Sequence, residues 1–312
     1  MPTSRIRTAR DYNRSLAWPV RMAHLASAAI LTVVSPVLAW PTARGRRHWA
    51  VPAILISLAG LVLAPFDSDL VRWAHSLRPG GDLRRELHAW QQYGAIGSLV
   101  FVAGAMALLE PRRVRRCLDL FLAAGFTSLA CLALKMLVGR PRPSLGNPEA
   151  FLGPLGVYPI EGSDGKPVLM HAWEVWGPNA GLLKSQLWSF PSSHTGAAMA
   201  LSVFLIVTYP RLRPLAVFMV ALVALSRVLL GETGAHWPSD VVAGAALGFL
   251  VSYPVVTRSW GVRLLDRLWL VLVDRSAMPA LPALEAYERY RARSRGSITA
   301  PASVFVSAAT ER

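Results

Sequence analysis

Six stretches of this chain, 49–66, 93–110, 117–138, 195–210, 213–231 and 239–257, are long and almost uninterruptedly apolar. Crossing ~30 Å of hydrocarbon takes about 17–25 apolar residues in a helix rising about 1.5 Å per residue. Several of these runs sit near that minimum. A backbone inside a bilayer must satisfy its own hydrogen bonds, and for such runs that means helix. Charged residues make up only 16% of the 312, against ~25% in an ordinary soluble domain. The reading is an all-α polytopic membrane bundle with a six-helix core at 49–257. A basic segment, 1–48, precedes it, and a basic, polar tail, 258–312, follows it and reads as flexible.

Charge orients the bundle. Arg112, Arg113, Arg115 and Arg116 crowd the turn before 117–138, and Arg211 and Arg213 occupy the next turn of that kind. Arg258, Arg263 and Arg267 follow the last run, and Arg44, Arg46 and Arg47 precede the first. By the positive-inside rule all of these face the cytoplasm. Loops 67–92 and 139–190, with mixed charge, then face outside. The formal charge of +15 is distributed as arginines between apolar runs, a membrane pattern and not a nucleic-acid one. A further run, 23–40, is broken by Pro36. Were it to span, the arginines of 1–22 would lie outside, so an interfacial or re-entrant segment is expected. Loop 67–92 carries Leu70, Trp73, Ala74 and Leu77 at helical spacing and is expected to form a short helix lying on the membrane. No cleavable leader is evident. Cys117 and Cys131 lie in or beside an apolar run, where a disulfide is not expected. Neither an internal repeat nor any pattern specifying an oligomeric state is visible.

Three polar groups break the apolar pattern, all at outward ends of predicted helices. The first reads Lys135-Met-Leu-Val-Gly-Arg-Pro-Arg142-Pro143, the second Pro191-Ser192-Ser193-His194, and the third Ser226-Arg227 followed by His236-Trp-Pro-Ser-Asp240. Each residue has an ordinary reading by itself. Lys135 and Arg227 snorkel, Ser192 and Ser193 cap a helix, His194 is structural or interfacial, and Asp240 caps the last helix. Together they form a phosphate-handling set. An intramembrane lysine is costly unless it faces a polar cavity. Seven residues separate Lys135 from Arg142, two helical turns, so both cations would converge on one anion. Arg140 competes with Arg142 and is expected to be solvated. A helix opening at Ser192 or Ser193 offers free N–H groups and a positive dipole end. Asp240, four residues after His236, is placed to accept from one imidazole nitrogen and fix the tautomer of the other.

These motifs, in this order, resemble the type 2 phosphatidic acid phosphatase (PAP2) superfamily, which includes membrane lipid phosphatases and soluble vanadium haloperoxidases. The resemblance covers roughly residues 90–257. It implies an active site at the outer membrane–water interface and a two-step mechanism without metal or cofactor. His236 would attack phosphorus, Asp240 support it, and His194 protonate the leaving group and then activate water. Lys135, Arg142, Arg227 and the amides of Ser192, Ser193 and His194 would hold the phosphate. This chain departs from the family in two places. Ser193 stands where glycine is usual, which should be tolerated and would place a hydroxyl near the phosphate. Eight residues instead of five separate Arg227 from His236, with the extra ones at Glu232, Thr233 and Gly234, which puts Arg227's place in the clamp in question.

The expected function is an integral membrane phosphatase for a lipid phosphate or diphosphate. The partners are membrane lipids and the lipid substrate, with no nucleic acid, in a bacterial inner membrane with the site facing the periplasm or exterior. Phosphatidic acid, phosphatidylglycerol phosphate, a polyprenyl diphosphate and a glycolipid phosphate all fit. Loop 139–190, with Trp173, Trp176 and Trp188, is expected to shape the choice as a lid or wall. Phosphotransfer to an acceptor alcohol through the same intermediate is the alternative enzyme. A transporter or lipid-binding scaffold of the same fold is the alternative outside enzymology. The haloperoxidase branch needs a soluble scaffold and is disfavoured.

Overall fold

The structure, a computed structural model, describes residues 50–77, 80–161, 165–175, 186–230 and 235–265. The expectations for 1–48, including the run 23–40, and for the tail beyond 265 lie outside the described residues, as do Glu232, Thr233, Gly234 and Trp176.

The apolar runs are helical: α1 (Val51–Leu63), α2 (Asp67–Ser76), α3 (Gly81–Trp90), α4 (Ile96–Leu109), α5 (Cys117–Val138), α6 (Ser193–Thr208), α7 (Arg213–Leu229) and α8 (Pro238–Thr257). Among the described residues four helices are long and apolar enough to cross a membrane: Val51–Ser76, Pro111–Val138, Pro210–Leu229 and Pro238–Thr257. They support a polytopic integral membrane protein. Gly81–Gly94 and Ile96–Leu109 reach that length only together, and they are bent by 64° where they meet. The run predicted at 93–110 is therefore part of a broken or re-entrant element. The run predicted at 195–210 is also shorter than expected, 16 residues in α6. Pro210 disfavours helical geometry in the residue before it, and Tyr209 leaves the helix at φ −131°. The helix expected to lie on the membrane at Leu70, Trp73, Ala74 and Leu77 exists as α2, with Leu77 just past its end. It runs on from α1 through the 3-10 turn Ala64–Phe66, so it prolongs the first span.

The bundle centres on α8, which packs against α6, α1 and α5, while α6 also packs against α5 and α7. A core of Leu120, Ala123, Ala198, Leu201, Phe204, Val223, Ala245 and Phe249 fills the contact. Small residues set how close the helices come. A Cβ on Gly244 would lie 2.3 Å from the Ser192 carbonyl oxygen, and one on Gly248 2.3 Å from that of Gly196. This close approach of small residues four apart is a familiar device of membrane helix pairs. It brings the first turn of α6 against the first turns of α8. The Ser192 N–H then donates to the Asp240 carbonyl at 3.0 Å. Leu108 and Leu109 on α4 are 85% and 80% exposed, as suits a helix face turned to lipid.

The all-α expectation needs one correction. Within loop 139–190, β1 (Tyr158–Glu161) and β2 (Pro167–Met170) pair antiparallel, Tyr158 opposite Met170 and Glu161 opposite Pro167. Strands of four residues leave little periodicity to read. Ile160, Met170, Ala172 and Leu187 form a small core of their own, with Leu152 packed against it. This hairpin sits on the end of α5, since a Cβ on Gly139 would lie 2.8 Å from the Ala172 Cβ.

Candidate active site

Sequence order brings four helix ends to one side: the C-terminal ends of α5 and α7 and the N-terminal ends of α6 and α8. The arginine-rich turns occupy the opposite end. There Arg116 pairs with Asp119 at 2.8 Å and donates to the Val256 carbonyl at 2.9 Å.

Lys135 lies in the last turn of α5, only 7% exposed, and its Nζ donates to the Trp188 carbonyl at 2.9 Å. The two-turn argument for Lys135 and Arg142 does not hold, because the helix stops at Val138. Gly139 closes it in a left-handed conformation (φ 59°, ψ 68°), its N–H donating to the Lys135 carbonyl, the usual role of glycine at a helix C-terminus. Beyond it the chain runs beside 186–189. Arg140 bridges in parallel to Trp188, the Arg142 N–H donates to the Gln186 carbonyl at 2.8 Å, and the Ser189 N–H to the Arg140 carbonyl at 3.0 Å. This turn, not a helical repeat, is what brings Arg142 back towards Lys135. The repulsion between the two cations marks their proximity.

His236 precedes α8 and is 2% exposed. Its Nδ1 lies 2.6 Å from the Ser189 carbonyl oxygen. A carbonyl only accepts, so Nδ1 carries the proton and Nε2 keeps its lone pair. Sequence spacing had assigned that orienting contact to Asp240, and the structure corrects it. The Asp240 carboxylate, 0% exposed, accepts instead from the Ser189 hydroxyl (2.5 Å), the Trp237 N–H (3.1 Å) and Arg140 Nη1 (2.5 Å). Asp240 therefore reaches the imidazole through Ser189, a residue that carried no signal in the sequence. Burial, reinforced by the charges of Lys135, Arg227 and Arg142, holds the His236 imidazole well below the ordinary histidine range. The ring is neutral at physiological pH, the form a nucleophile needs.

Arg140, expected to be solvated, is 1% exposed. It pairs with Asp240 at 2.5 Å and with Asp67 at 2.7 Å. It also donates to the Ser239 hydroxyl at 2.8 Å and to the Pro148 carbonyl. Phe151 lies over its guanidinium, 4.7 Å from ring centroid to Cζ, and meets Phe190 edge-on at 5.9 Å. A guanidinium with two carboxylates as partners is a structural cross-link, and the sequence offered no way to choose it over Arg142. Trp237 closes the same junction, its Nε1 donating to the Pro141 carbonyl at 2.9 Å.

Arg227, in the last turn of α7, keeps its place beside the other cations despite the inserted residues. It acts electrostatically on His236 together with Lys135 and Arg142. The Ala235 N–H donates to the Arg227 carbonyl at 3.3 Å. A second residue without a sequence signal holds the side chain: Gln91 Oε1 accepts from Arg227 Nη1 at 2.5 Å. Gln91 sits in the 3-10 turn Gln91–Gly94 that bends α3 into α4.

The Ser192 expectation changes. This residue is the N-cap of α6 but makes no side-chain cap. It is fully buried, its hydroxyl accepts from Thr195 Oγ1 at 3.1 Å, and its N–H is spent on Asp240. Ser192 thus joins α6 to α8 through its N–H. Ser193 and His194 are half-buried in the first turn, where backbone N–H groups have no intrahelical acceptor. The Ser193 hydroxyl pairs with the Cys131 thiol. His194 lies within electrostatic reach of Arg227, Lys135 and Arg142.

His236 and His194 thus both lie within electrostatic reach of the three cations, at the N-terminal ends of α8 and α6. Such a set can hold a tetrahedral anion and offer it a nucleophile. Residues 116–263 match the model of the PAP2 superfamily, a stretch that holds every motif of the site but neither Asp67 nor Gln91. No solved structure matches the chain. Over these residues the chain is similar to that superfamily, and the membrane-spanning helices support an integral membrane protein.

Proposed function

We propose that the protein is an integral membrane phosphatase that hydrolyses a lipid phosphate or diphosphate through a phosphohistidine. The observation that carries this reading is the hydrogen bond from His236 Nδ1 to the Ser189 carbonyl. It leaves Nε2 as the free nucleophile beside Lys135, Arg142 and Arg227. In the first step the Nε2 lone pair forms a bond to phosphorus as the bond to the leaving oxygen breaks. His194, its pKa lowered to about 4 by burial and the charges of Arg227, Lys135 and Arg142, carries the proton once the bound phosphate offsets those charges, and gives it to that oxygen. In the second step His194 takes a proton from water, whose oxygen attacks phosphorus, and the P–N bond returns its electrons to His236. Lys135, Arg142, Arg227 and the amides of Ser193 and His194 stabilise the charge on the remaining oxygens. Phosphoryl transfer draws most of its rate from such positioning and charge stabilisation. A substrate with an apolar tail fits a site built at the ends of apolar helices. The positive-inside rule supports a site at the exterior face.

The test is phosphate release by the full-length protein in detergent from a panel of lipid phosphates and diphosphates, with chelator present, beside His236→Ala. Release by the wild type, none by the variant, and an acid-labile phosphoryl group trapped on His236 are expected. Equal release by His236→Ala would overturn the nucleophile. Transfer to an added alcohol in preference to water would make the protein a phosphotransferase.

A further inference from the structure

Asp67 begins α2, wholly buried, in a part of the chain that shares no motif with the site. Its carboxylate nevertheless reaches the base of the proposed nucleophile. Oδ1 accepts from the Ser239 N–H at 2.9 Å, and Oδ2 from the Ser239 hydroxyl at 2.5 Å and from Arg140 Nη2 at 2.7 Å. The Ser239 N–H is one of the donors that α8 cannot satisfy within its own first turn. Asp67 therefore caps α8 from another helix and adds a negative charge at its positive end.

The same carboxylate also divides Arg140. One arm of the guanidinium is held by Asp67 and the other by Asp240. Asp240 in turn holds the Ser189 hydroxyl, and the Ser189 carbonyl holds His236 Nδ1. We infer that Asp67 is a positioning residue for His236, acting through Arg140, Asp240 and Ser189 to hold the imidazole in the Nδ1–H tautomer. The inference rests on the reading of His236 as nucleophile and extends the working unit beyond the residues matched by the family, back to α2.

The physical reason lies in competition for donors and acceptors. Asp240 uses one oxygen for Arg140 and the other for Ser189 and Trp237. Without Asp67 the Nη2 arm of Arg140 keeps the Pro148 carbonyl but has no anionic partner other than Asp240. The guanidinium fork matches a carboxylate bidentately, so the second arm is drawn to the oxygen that Ser189 now occupies. Ser189 then loses its hydroxyl partner, and its carbonyl is no longer fixed against His236. A solely structural Asp67 would instead support the fold and leave the imidazole's protonation site unchanged.

The experiment compares full-length wild type with Asp67→Asn in detergent. It measures kcat and KM for phosphate release, thermal unfolding, and the ¹⁵N spectrum of histidine-labelled protein, with the His236 signal identified by its loss in His236→Ala. Expected for Asp67→Asn is a kcat lower by about 10–100-fold, the range of a sub-ångström to ångström misplacement, with KM changed by less than about threefold. The His236 signals should move from a single Nδ1–H tautomer to a mixture. A folded Asp67→Asn with wild-type kcat and a wild-type His236 spectrum overturns the inference, as does a loss confined to KM. Arg140→Lys leaves Asp67 and its cap on α8 in place, but one ammonium cannot hold both carboxylates as the guanidinium does. It serves as the second variant should Asp67→Asn fail to fold, with the same spectral change expected and an unchanged spectrum overturning the inference. A wild type inactive on every lipid phosphate overturns the proposed function, and the ¹⁵N spectra alone then decide the role of Asp67.

Discussion

Replacing Arg140 by methionine separates a buried cross-link from a solvated side chain more sharply than any other single change. Arg140 is 1% exposed and bonded to Asp67, Asp240, Ser239 and Pro148. Methionine approximates its length and fills the space, so the substitution creates no large cavity. What it removes is the one cation between two buried carboxylates. Breaking a buried pair while leaving its partner unpaired costs about 3–5 kcal/mol, here with two partners stranded. A solvated arginine would cost at most about 0.5 kcal/mol. Against a total stability of about 5–15 kcal/mol, the larger figure is a serious loss. For a domain of about 150–250 residues it corresponds to roughly 6–20 °C in Tm. The assay is thermal and SDS-induced unfolding of the purified protein in one detergent at fixed concentration. Arg140→Lys should fall between, because one ammonium cannot serve both carboxylates with the geometry of a guanidinium. A loss below about 1 kcal/mol in Arg140→Met would refute the argument that this buried charge network holds the site together.

Gln91→Leu removes the acceptor of Arg227, a hydrogen bond to a charged group worth about 1.5–3 kcal/mol. It should lower kcat/KM by about 10–100-fold, and an unchanged kcat/KM would show that Arg227 needs no such tether. Gly244→Ala forces a methyl to within 2.3 Å of the Ser192 carbonyl. Overpacking of this kind costs about 1–3 kcal/mol, read as a lower Tm, and an unaltered Tm would mean that the helices separate freely. His236 is held neutral in the fold, while its unfolded form titrates near the usual value of about 6.5. The unfolded state therefore binds more protons below that pH, and this contribution to stability, fully present above it, is lost as pH falls towards the folded value. Wild type should lose Tm between pH 7.5 and 5.5, and His236→Ala should lose less over the same range. Identical slopes would contradict the neutral, buried imidazole.

The sequence by itself determined the solvent and marked the polar residues that break the apolar pattern. Long apolar runs leave helix as the only form in which a backbone can enter a bilayer. Lysine, arginine and histidine at the ends of such runs are too costly to be idle in number. Both are local properties of composition and spacing, and they singled out His194, His236, Lys135, Arg142 and Arg227 as polar residues at or beside the ends of apolar runs. Tertiary structure alone decided how those residues are used. Arg140 and Arg142 are chemically alike and two residues apart, and only the turn at Gly139 and the nearness of α2 and α8 make one a buried cross-link. Asp67 and Asp240 lie far apart in the chain and share that arginine because Gly244 and Gly248 let α6 close on α8 and because α2 reaches the first turn of α8. Ser189 and Gln91 carry no pattern of their own. Their roles come from one carbonyl and one amide placed beside His236 and Arg227, contacts that are non-local and therefore invisible in spacing. The short strands and the bend between α3 and α4 escaped notice for the related reason that four residues, or one turn, carry too little periodicity to oppose the packing that imposes them.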